Sequence, residues 1–568
     1  MITLRHYIFA FTCGMLLASC SSMLEPESDL VEFEDDHTLN HATDSVYSVM
    51  GIINKMQLIG DRVVLLGEVR GDLVKTMPAA NTDLKRLSNF DFSGDNRYNQ
   101  ISDYYAVINN CNYYLAHVDT AMQRRGRNLF LREYAVVKSY RAWTYLQLAQ
   151  AYGAVPLILK PLMTEREARE AMNQTPADIQ TICETFIADL TPYVGVNLPD
   201  FGSVEGLESK WFFIPMRALL GDLCLWAGRY QEAARWYHDY LTDKYEPLQM
   251  STMYVNWPSS SQFVNPIASY APTTMIGSTA DLQCIIPMEL RVFDGTISQL
   301  TNLFESTEEN NYFYELTPSS GMAKISADQI YCFEVTTPGS TTKDTLYAPR
   351  MGFVRGEYVG DLRYSQNYRI SSFGAQDEYS EYNSYFQSIR KIASSWIPLY
   401  RTTMVYLRYA EALNRAGYPQ SAFCILKYGI CDEVLGNHVD PVELSLAGEL
   451  VDFDPNVFLY EGVLGIHSLG SGDSHANAYY VLPQPDGALP TRQDTVNYQI
   501  PLVEDMIITE MALEGSFEGY RYYDLMRVAL RRNNPAYLAD PISLRTGTQN
   551  ATLKALLMDP KNWYLPLP

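Results

Sequence analysis

Four charged residues near the C-terminus stand three apart: Glu518, Arg521, Asp524 and Arg527. That spacing puts them on one face of a helix. Two carboxylates on one face are raw material for general acid–base catalysis, which needs one of them with a raised pKa. The arginines between them hold both carboxylates ionised, so the pattern predicts a structural ion ladder. His467 and His475 flank a Gly/Ser loop that contains Asp473, but a separation of eight positions in a loop is not a metal-ligand spacing. Gly470-Ser471-Gly472 opens no predicted helix and does not read as a phosphate cradle. There is no H-E-x-x-H, no G-x-S-x-G and no P-loop. Glycosidase carboxylates carry no fixed spacing, and nothing in the sequence points to a pair. No catalytic residue, no metal ligand and no cofactor is assigned.

Residues suited to binding are easier to find. Tyrosine is over-represented, with 42 copies; it offers a flat apolar face and one polar tip at small entropic cost. Tyr254 and Trp257 stand together in Met253-Tyr254-Val255-Asn256-Trp257-Pro258, and Tyr312-Phe313-Tyr314 forms a second aromatic cluster. Both are candidate stacking platforms, with satellite core packing as the alternative. Arg70-Gly71-Asp72 closes the apolar run that begins at Leu65. Arg70 and Asp72 read as a local ion pair or, in a surface turn, as ligand contacts.

Helices must position these groups. Tyr104, Ile108, Cys111 and Leu115 share one helical face, as do Tyr134, Val137, Tyr140 and Trp143. The second pattern runs from Arg132 to Tyr152 and stops at Gly153, with Pro156 beyond. Asp178 starts another helix that reaches Leu190. Between 209 and 243, Leu220-Gly221, Gly228, Tyr230, Ala233 and Tyr237 match tetratricopeptide positions for close helix packing and its turn, and Ala410, Gly417 and Ala422 echo them weakly. Trp143, Trp211, Trp226 and Trp236 are expected in the core. Residues 245–395 are rich in Pro, Gly, Ser, Thr and Tyr, with short β-like runs such as Gln329–Thr336, and 436–500 is a second irregular tract. Long loops on a rigid scaffold are where binding residues gather.

The N-terminus supplies an address. Arg5 and His6 precede an apolar run from Tyr7 to Leu17, followed by Leu17-Ala18-Ser19-Cys20. The layout is that of a secretory signal, and the run is too short to span a bilayer, which takes about 20 residues. Leu-Ala-Ser-Cys resembles a bacterial lipobox, which implies cleavage before Cys20 and lipid on that residue. Residues 1–19 carry Arg5 as their only charge, so the chain's −23 becomes −24 after cleavage. Such acidity argues against nucleic acid and against a polybasic membrane surface. Seven acidic and no basic residues between 21 and 36 read as a solvated tether. The remaining cysteines, 111, 183, 224, 284, 332, 424 and 431, contain no C-x-x-C pair and read as buried free thiols.

Several segments converge on one family. Arg141-Ala142-Trp143 through Gly153-Ala154-Val155-Pro156-Leu157, Arg408-Tyr409-Ala410-Glu411-Ala412-Leu413-Asn414, Phe517-Glu518-Gly519-Tyr520-Arg521-Tyr522-Tyr523-Asp524-Leu525-Met526-Arg527 and the closing Asn562-Trp563-Tyr564-Leu565-Pro566-Leu567-Pro568 resemble signatures of the SusD/RagB outer-membrane lipoproteins of Bacteroidetes. The resemblance implies a mainly α fold, with tetratricopeptide-like helix pairs and a loop-rich irregular α+β insert. It implies a lipid-anchored cell-surface protein of the outer membrane, held to the membrane by the lipid alone. Such a protein captures oligosaccharides, delivers them to a SusC-like TonB-dependent barrel and is not an enzyme. The expected organisation is signal peptide 1–19, tether 20–37 and a SusD-like domain 38–568. Within that domain the helical scaffold covers about 38–243, 396–435 and 500–535, and the ligand-facing insert about 245–395. Many members carry a Trp near the sugar site where this chain has Ile101. An oligopeptide ligand is the alternative within the family, and for it Arg70 and Asp72 gain weight. A surface glycan-degrading enzyme is the alternative of a different class.

Overall fold

The computed structural model describes residues 39 and 42–567, apart from 244–253, 257–266, 270–280, 291–294, 337–342, 348–350, 355–356, 359, 373–384, 390, 393–394 and 459–462. The signal, Cys20, the acidic tether and Trp257 lie outside the described residues; Tyr254 is placed in a short strand by its backbone alone.

Helices α1 (Ala42–Glu68), α2 (Ile101–His117), α3 (Leu131–Tyr152), α4 (Ile179–Leu190), α5 (Met216–Ala227) and α6 (Tyr230–Asp243) pack each against the next. The series resumes with α7 (Thr402–Arg415), which packs on α6, and with α8 (Pro419–Lys427) and α9 (Arg492–Glu514). α10 (Arg521–Arg531) closes back onto α1. The stack is therefore continuous in space although some 160 residues separate α6 from α7. The apolar faces form one core from Val49 to Leu565. All seven described cysteines are free and buried, six of them in this core, as expected.

Local signals set the helix ends. The Asp178 carboxylate accepts the Thr181 N–H at 2.8 Å and caps α4. Thr491 and Asp494 form a reciprocal capping box at the start of α9. Gly153 ends α3 with φ +78°. Gly221 allows the approach of α5 to α6: a Cβ there would lie 2.4 Å from the Tyr237 ring. The Tyr237 hydroxyl in turn donates to Asp222 at 2.6 Å. The tetratricopeptide-like spacing thus marks a real helix–helix contact.

The segment between α6 and α7 leaves the stack and returns through an antiparallel strand pair. β2 (Leu282–Pro287) pairs with β4 (Trp396–Arg401), with Ile286 opposite Ile397. A second pair ties it to the N-terminal half, β1 (Val74–Thr76) against β3 (Leu316–Pro318), with Lys75 opposite Thr317. Every sheet among the described residues is two-stranded. No described helix is long and apolar enough to cross a membrane.

Buried ions dock this segment onto the scaffold. Arg363 holds Asp361 at 2.8 Å, Glu510 at 2.7 Å and Glu514 at 3.4 Å. Arg401 holds both oxygens of Glu518 at 2.8 and 2.9 Å and Glu514 at 2.8 Å. Lys391 adds a 2.8 Å contact to Glu518. Burial pushes the Glu510 carboxyl up, but Arg363 and then His467 outweigh it and hold it at about 2. Arg363 and Arg401 are raised despite their own burial, because carboxylates surround them. Removing either arginine would strand two or more buried carboxylates.

Candidate functional site

The structure moves two sequence candidates inward. Arg70 is fully buried and Asp72 nearly so. The Arg70 guanidinium donates to the Leu66 carbonyl at 2.8 Å, the Trp563 carbonyl at 3.0 Å and the Tyr523 hydroxyl at 3.0 Å, and lies 4.2 Å from the Tyr522 ring centroid. Asp72 takes a bidentate bond from Arg521 at 2.6 and 2.9 Å. Neither offers an atom to a ligand at the surface. The reason lies in their position: α1 ends against α10 and the C-terminal segment, so a motif that reads as a surface turn is a junction of three elements. They are not each other's ion partner either, as the local-pair reading had it.

The ion ladder is also rearranged. α10 begins at Arg521, so Glu518 sits in the preceding turn rather than on the helix face. Glu518 binds Lys391 and Arg401, Arg521 binds Asp72, and Arg527 binds Glu411 at 2.5 Å and Asp524 at 2.9 Å. Only the last contact runs along the helix. The glycine at 519 explains the turn: it has φ +93°, and a Cβ there would lie 2.2 Å from the Val63 carbonyl oxygen. The charges are structural, as expected, but all except Asp524 tie α10 or its turn to another element. His467 is likewise internal, 2.6 Å from Glu510 and stacked on Tyr480 at 3.7 Å, and His475 bonds the Tyr428 carbonyl. No group of three or more metal-ligating side chains occurs among the described residues.

The aromatic cluster is where the structure opens outward. Phe313 is 71% and Tyr312 47% exposed, and Tyr314 is half-buried. They ride on a loop closed by its own hydrogen bonds: Tyr312 N–H to Thr307 O at 2.8 Å, Asn311 N–H to Glu308 O at 3.1 Å and Phe313 N–H to Asn310 O at 3.1 Å. Asn310 is the internal strut. Its amide donates to the Asn302 and Glu305 carbonyls at 2.7 Å each and accepts the Thr307 N–H at 3.0 Å. Asn311 and Tyr312 are both left-handed, at φ 51° and 63°. Asn tolerates that region and Tyr seldom does. The aromatic side chains are thus displayed by a fixed turn that carries some strain, so little conformational entropy remains to be lost on binding.

A clamp holds this turn against the scaffold. The Glu315 carboxylate accepts the Asn81 backbone N–H at 2.7 Å and its side-chain amide at 2.6 Å, while the Glu315 carbonyl accepts the Met77 N–H at 2.8 Å. Asn81 also caps the helix Thr82–Ser88 through Leu84 N–H at 3.0 Å. Beside it lie Tyr98, its hydroxyl raised first by burial and bonded by Asn81, and Arg97, which holds Asp83 at 2.8 Å. Asn99 reaches the Pro566 carbonyl at 3.3 Å. There an open groove of about 560 Å³ is lined by Phe90, Phe92, Tyr152, Asn562 and Tyr564. The turn, the Asn81–Asn99 segment and this groove follow one another along one surface.

Size argues against one polar recess. The pocket between Trp143, Gln150, Asp222, Trp226 and Asp524 holds about 50 Å³, room for a few water molecules at about 10–15 Å³ each and not for a sugar ring.

Of the sequence candidates, Tyr312 and Tyr314 fall together on the outward face and Arg70 and Asp72 do not. Phe313 is the most exposed of the three aromatics, and Asn81, Asn310 and Glu315, which hold the turn, are additions from the structure. Asn310-Asn311 before the aromatics is the one local sign of a left-handed turn. Nothing in the sequence pairs Asn81 with Glu315. Ile101, where many family members have Trp, is buried at the start of α2.

No protein-family model and no curated protein matches the sequence. Solved structures do match. A SusD superfamily protein from Bacteroides vulgatus is 12% identical, with 93% of this chain and 96% of that one covered and a TM-score of 0.55. A SusD homolog from Bacteroides thetaiotaomicron is 14% identical, covering 92% and 94%, with a TM-score of 0.51. A SusD-like carbohydrate binding protein from Bacteroides vulgatus is 15% identical, covering 86% and 83%, with a TM-score of 0.51. A helical repeat scaffold with an inserted α+β segment is thus the class this chain falls in. Its fold is the SusD-like fold, mainly helical and shared along most of both chains.

Proposed function

We propose that this protein is a SusD/RagB-type nutrient-binding lipoprotein. In this reading Cys20 carries lipid, and the body sits on the outer face of the outer membrane. It captures oligosaccharides at the surface built on Tyr312, Phe313 and Tyr314 and hands them to a SusC-like TonB-dependent barrel. Stacking of a sugar face on an exposed aromatic ring, with amide and carboxylate partners at its edge, suits that surface. The observation that carries the reading is the fixed aromatic turn standing out from a SusD-like scaffold. The solved protein named as carbohydrate binding shares that fold and supports the choice of ligand. Tyr254 and Trp257 remain candidate ligand contacts. The role is binding without turnover.

The test is isothermal titration of the mature chain with oligosaccharide pools, beside purification of the lipidated protein from outer membranes. Saturable binding weakened by Phe313→Ala, with a β-barrel copurifying, is the expected result. Tight binding of peptides and of no oligosaccharide would select the alternative ligand class. Turnover of a bound oligosaccharide would overturn the non-enzymatic reading.

A further inference from the structure

The charge around the aromatic turn says what kind of ligand it accepts. Residues 299–323 contain Glu305, Glu308, Glu309 and Glu315 and no Lys or Arg. Glu308 and Glu309 are exposed in the loop that presents Tyr312 and Phe313, and Glu308 supplies the carbonyl that fixes Asn311. None of the four makes an ion pair among the described residues, and burial raises the Glu305 carboxyl from 4.5 to about 7, so it does not count as a full charge. Glu309 accepts a 2.8 Å bond from Asn302, and Glu315 is held by Asn81; both bonds come from neutral amides and leave the negative charge in place. On the neighbouring Asn81–Asn99 segment, Arg97 binds Asp83 and also acts on the Glu315 charge, Arg86 lies 3.5 Å from Asp91, and Lys85 bonds the Pro78 carbonyl. Lys75 is across the strand pair, opposite Thr317. Among the described residues the loop therefore combines apolar rings with the Glu308 and Glu309 carboxylates, which make no ion pair, on a chain whose net charge is −23.

We propose that the Tyr312–Tyr314 surface selects uncharged oligosaccharides and rejects anionic ones, such as those bearing uronate or sulfate, with Glu308 and Glu309 as the residues that enforce the choice. The inference rests on the oligosaccharide-binding reading above. Recognition of a carboxylate or sulfate calls for a free guanidinium, ammonium or cluster of backbone N–H groups, and the described part of this surface offers carboxylates instead. Juxtaposed like charges lower affinity for the wrong ligand without improving contacts to the right one. A neutral sugar escapes the repulsion and meets the aromatic rings without it.

The test is a panel of neutral, uronate-bearing and sulfated oligosaccharides of equal length, titrated into the mature chain and its Glu308→Gln/Glu309→Gln variant at low and high salt. The native protein is expected to favour neutral over anionic members by about tenfold or more at low salt, and the preference shrinks as salt screens it. The double variant is expected to lose most of that preference while binding neutral members about as before. The glutamines keep the shape and leave the internal bonds of Asn310 in place, and a thermal melt checks that the variant is folded. Anionic oligosaccharides bound as tightly as neutral ones by the native protein would overturn the inference alone, as would a preference unchanged in the variant. Binding of no oligosaccharide would overturn the reading beneath it, and the inference with it.

Discussion

The turn around α10 and the turn at 307–315 are both rich in charge and tyrosine, and they use them in opposite ways. At 517–531 both carboxylates are paired, Glu518 with Lys391 and Arg401 from other elements and Asp524 with Arg527 of its own helix, and the rings pack inside. At 305–315 the carboxylates meet amides or solvent and the rings face out. Composition alone cannot separate the two. What does is whether the carboxylates are paired with cations and the rings packed within the fold. Where they are, the residues hold the structure together; where they are not, they remain available to a ligand.

The largest effect that would break this contrast is expected from Arg401→Ala. It leaves Glu514 and Glu518 buried without their main partner and is expected to cost about 3–5 kcal/mol, read as a large fall in Tm or failure to fold. A small change would show that the network is not what docks the insert. Next is Gly221→Ala, which presses a methyl group into the Tyr237 ring and is expected to cost about 1–3 kcal/mol. Tyr237→Leu in the same chain should recover part of that loss, although it forgoes the bond to Asp222.

A third expectation concerns pH. Burial raises Glu68 from its ordinary 4.5 to about 8, even though it accepts the Gly519 N–H. The folded state therefore keeps a proton that the unfolded state releases. The sign follows: this contribution to stability is complete below about pH 4.5 and is lost as pH rises through 8, with a slope of at most about 1.4 kcal/mol per pH unit. Glu68→Gln, which retains the acceptor, should flatten the dependence of stability on pH between 5 and 8 in denaturant titrations. A profile as steep as that of the native chain would place the proton elsewhere. The smallest effect on stability is expected on the outward turn. Phe313→Ala should change stability by less than about 0.5 kcal/mol, since the ring is largely exposed.

Much of the scaffold was legible in the sequence, because helix periodicity, caps and the Gly221–Tyr237 spacing are local. The C-terminal signatures led to the right fold for the same reason that α10 proved internal: a segment that touches α1, α7, α9 and the insert tolerates few residue types. The candidate site was half legible. Tyr312 and Tyr314 stood out by composition, and Asn310-Asn311 marked a turn beside them. Arg70 and Asp72 misled because their burial is set by residues more than 400 positions away, Tyr523, Arg521 and Trp563. No pattern within a short window carries that information. The Asn81–Glu315 clamp was hidden likewise, since it spans 234 positions.

The measurement that tests the central claim most directly is titration of neutral oligosaccharides into the native chain and into Phe313→Ala, with a thermal melt of both. The account expects an unchanged melt and an affinity lower by about tenfold or more, on the order of 1.4 kcal/mol. Equal affinities with equal melts would show that the outward aromatic turn is not where this protein takes hold of its ligand.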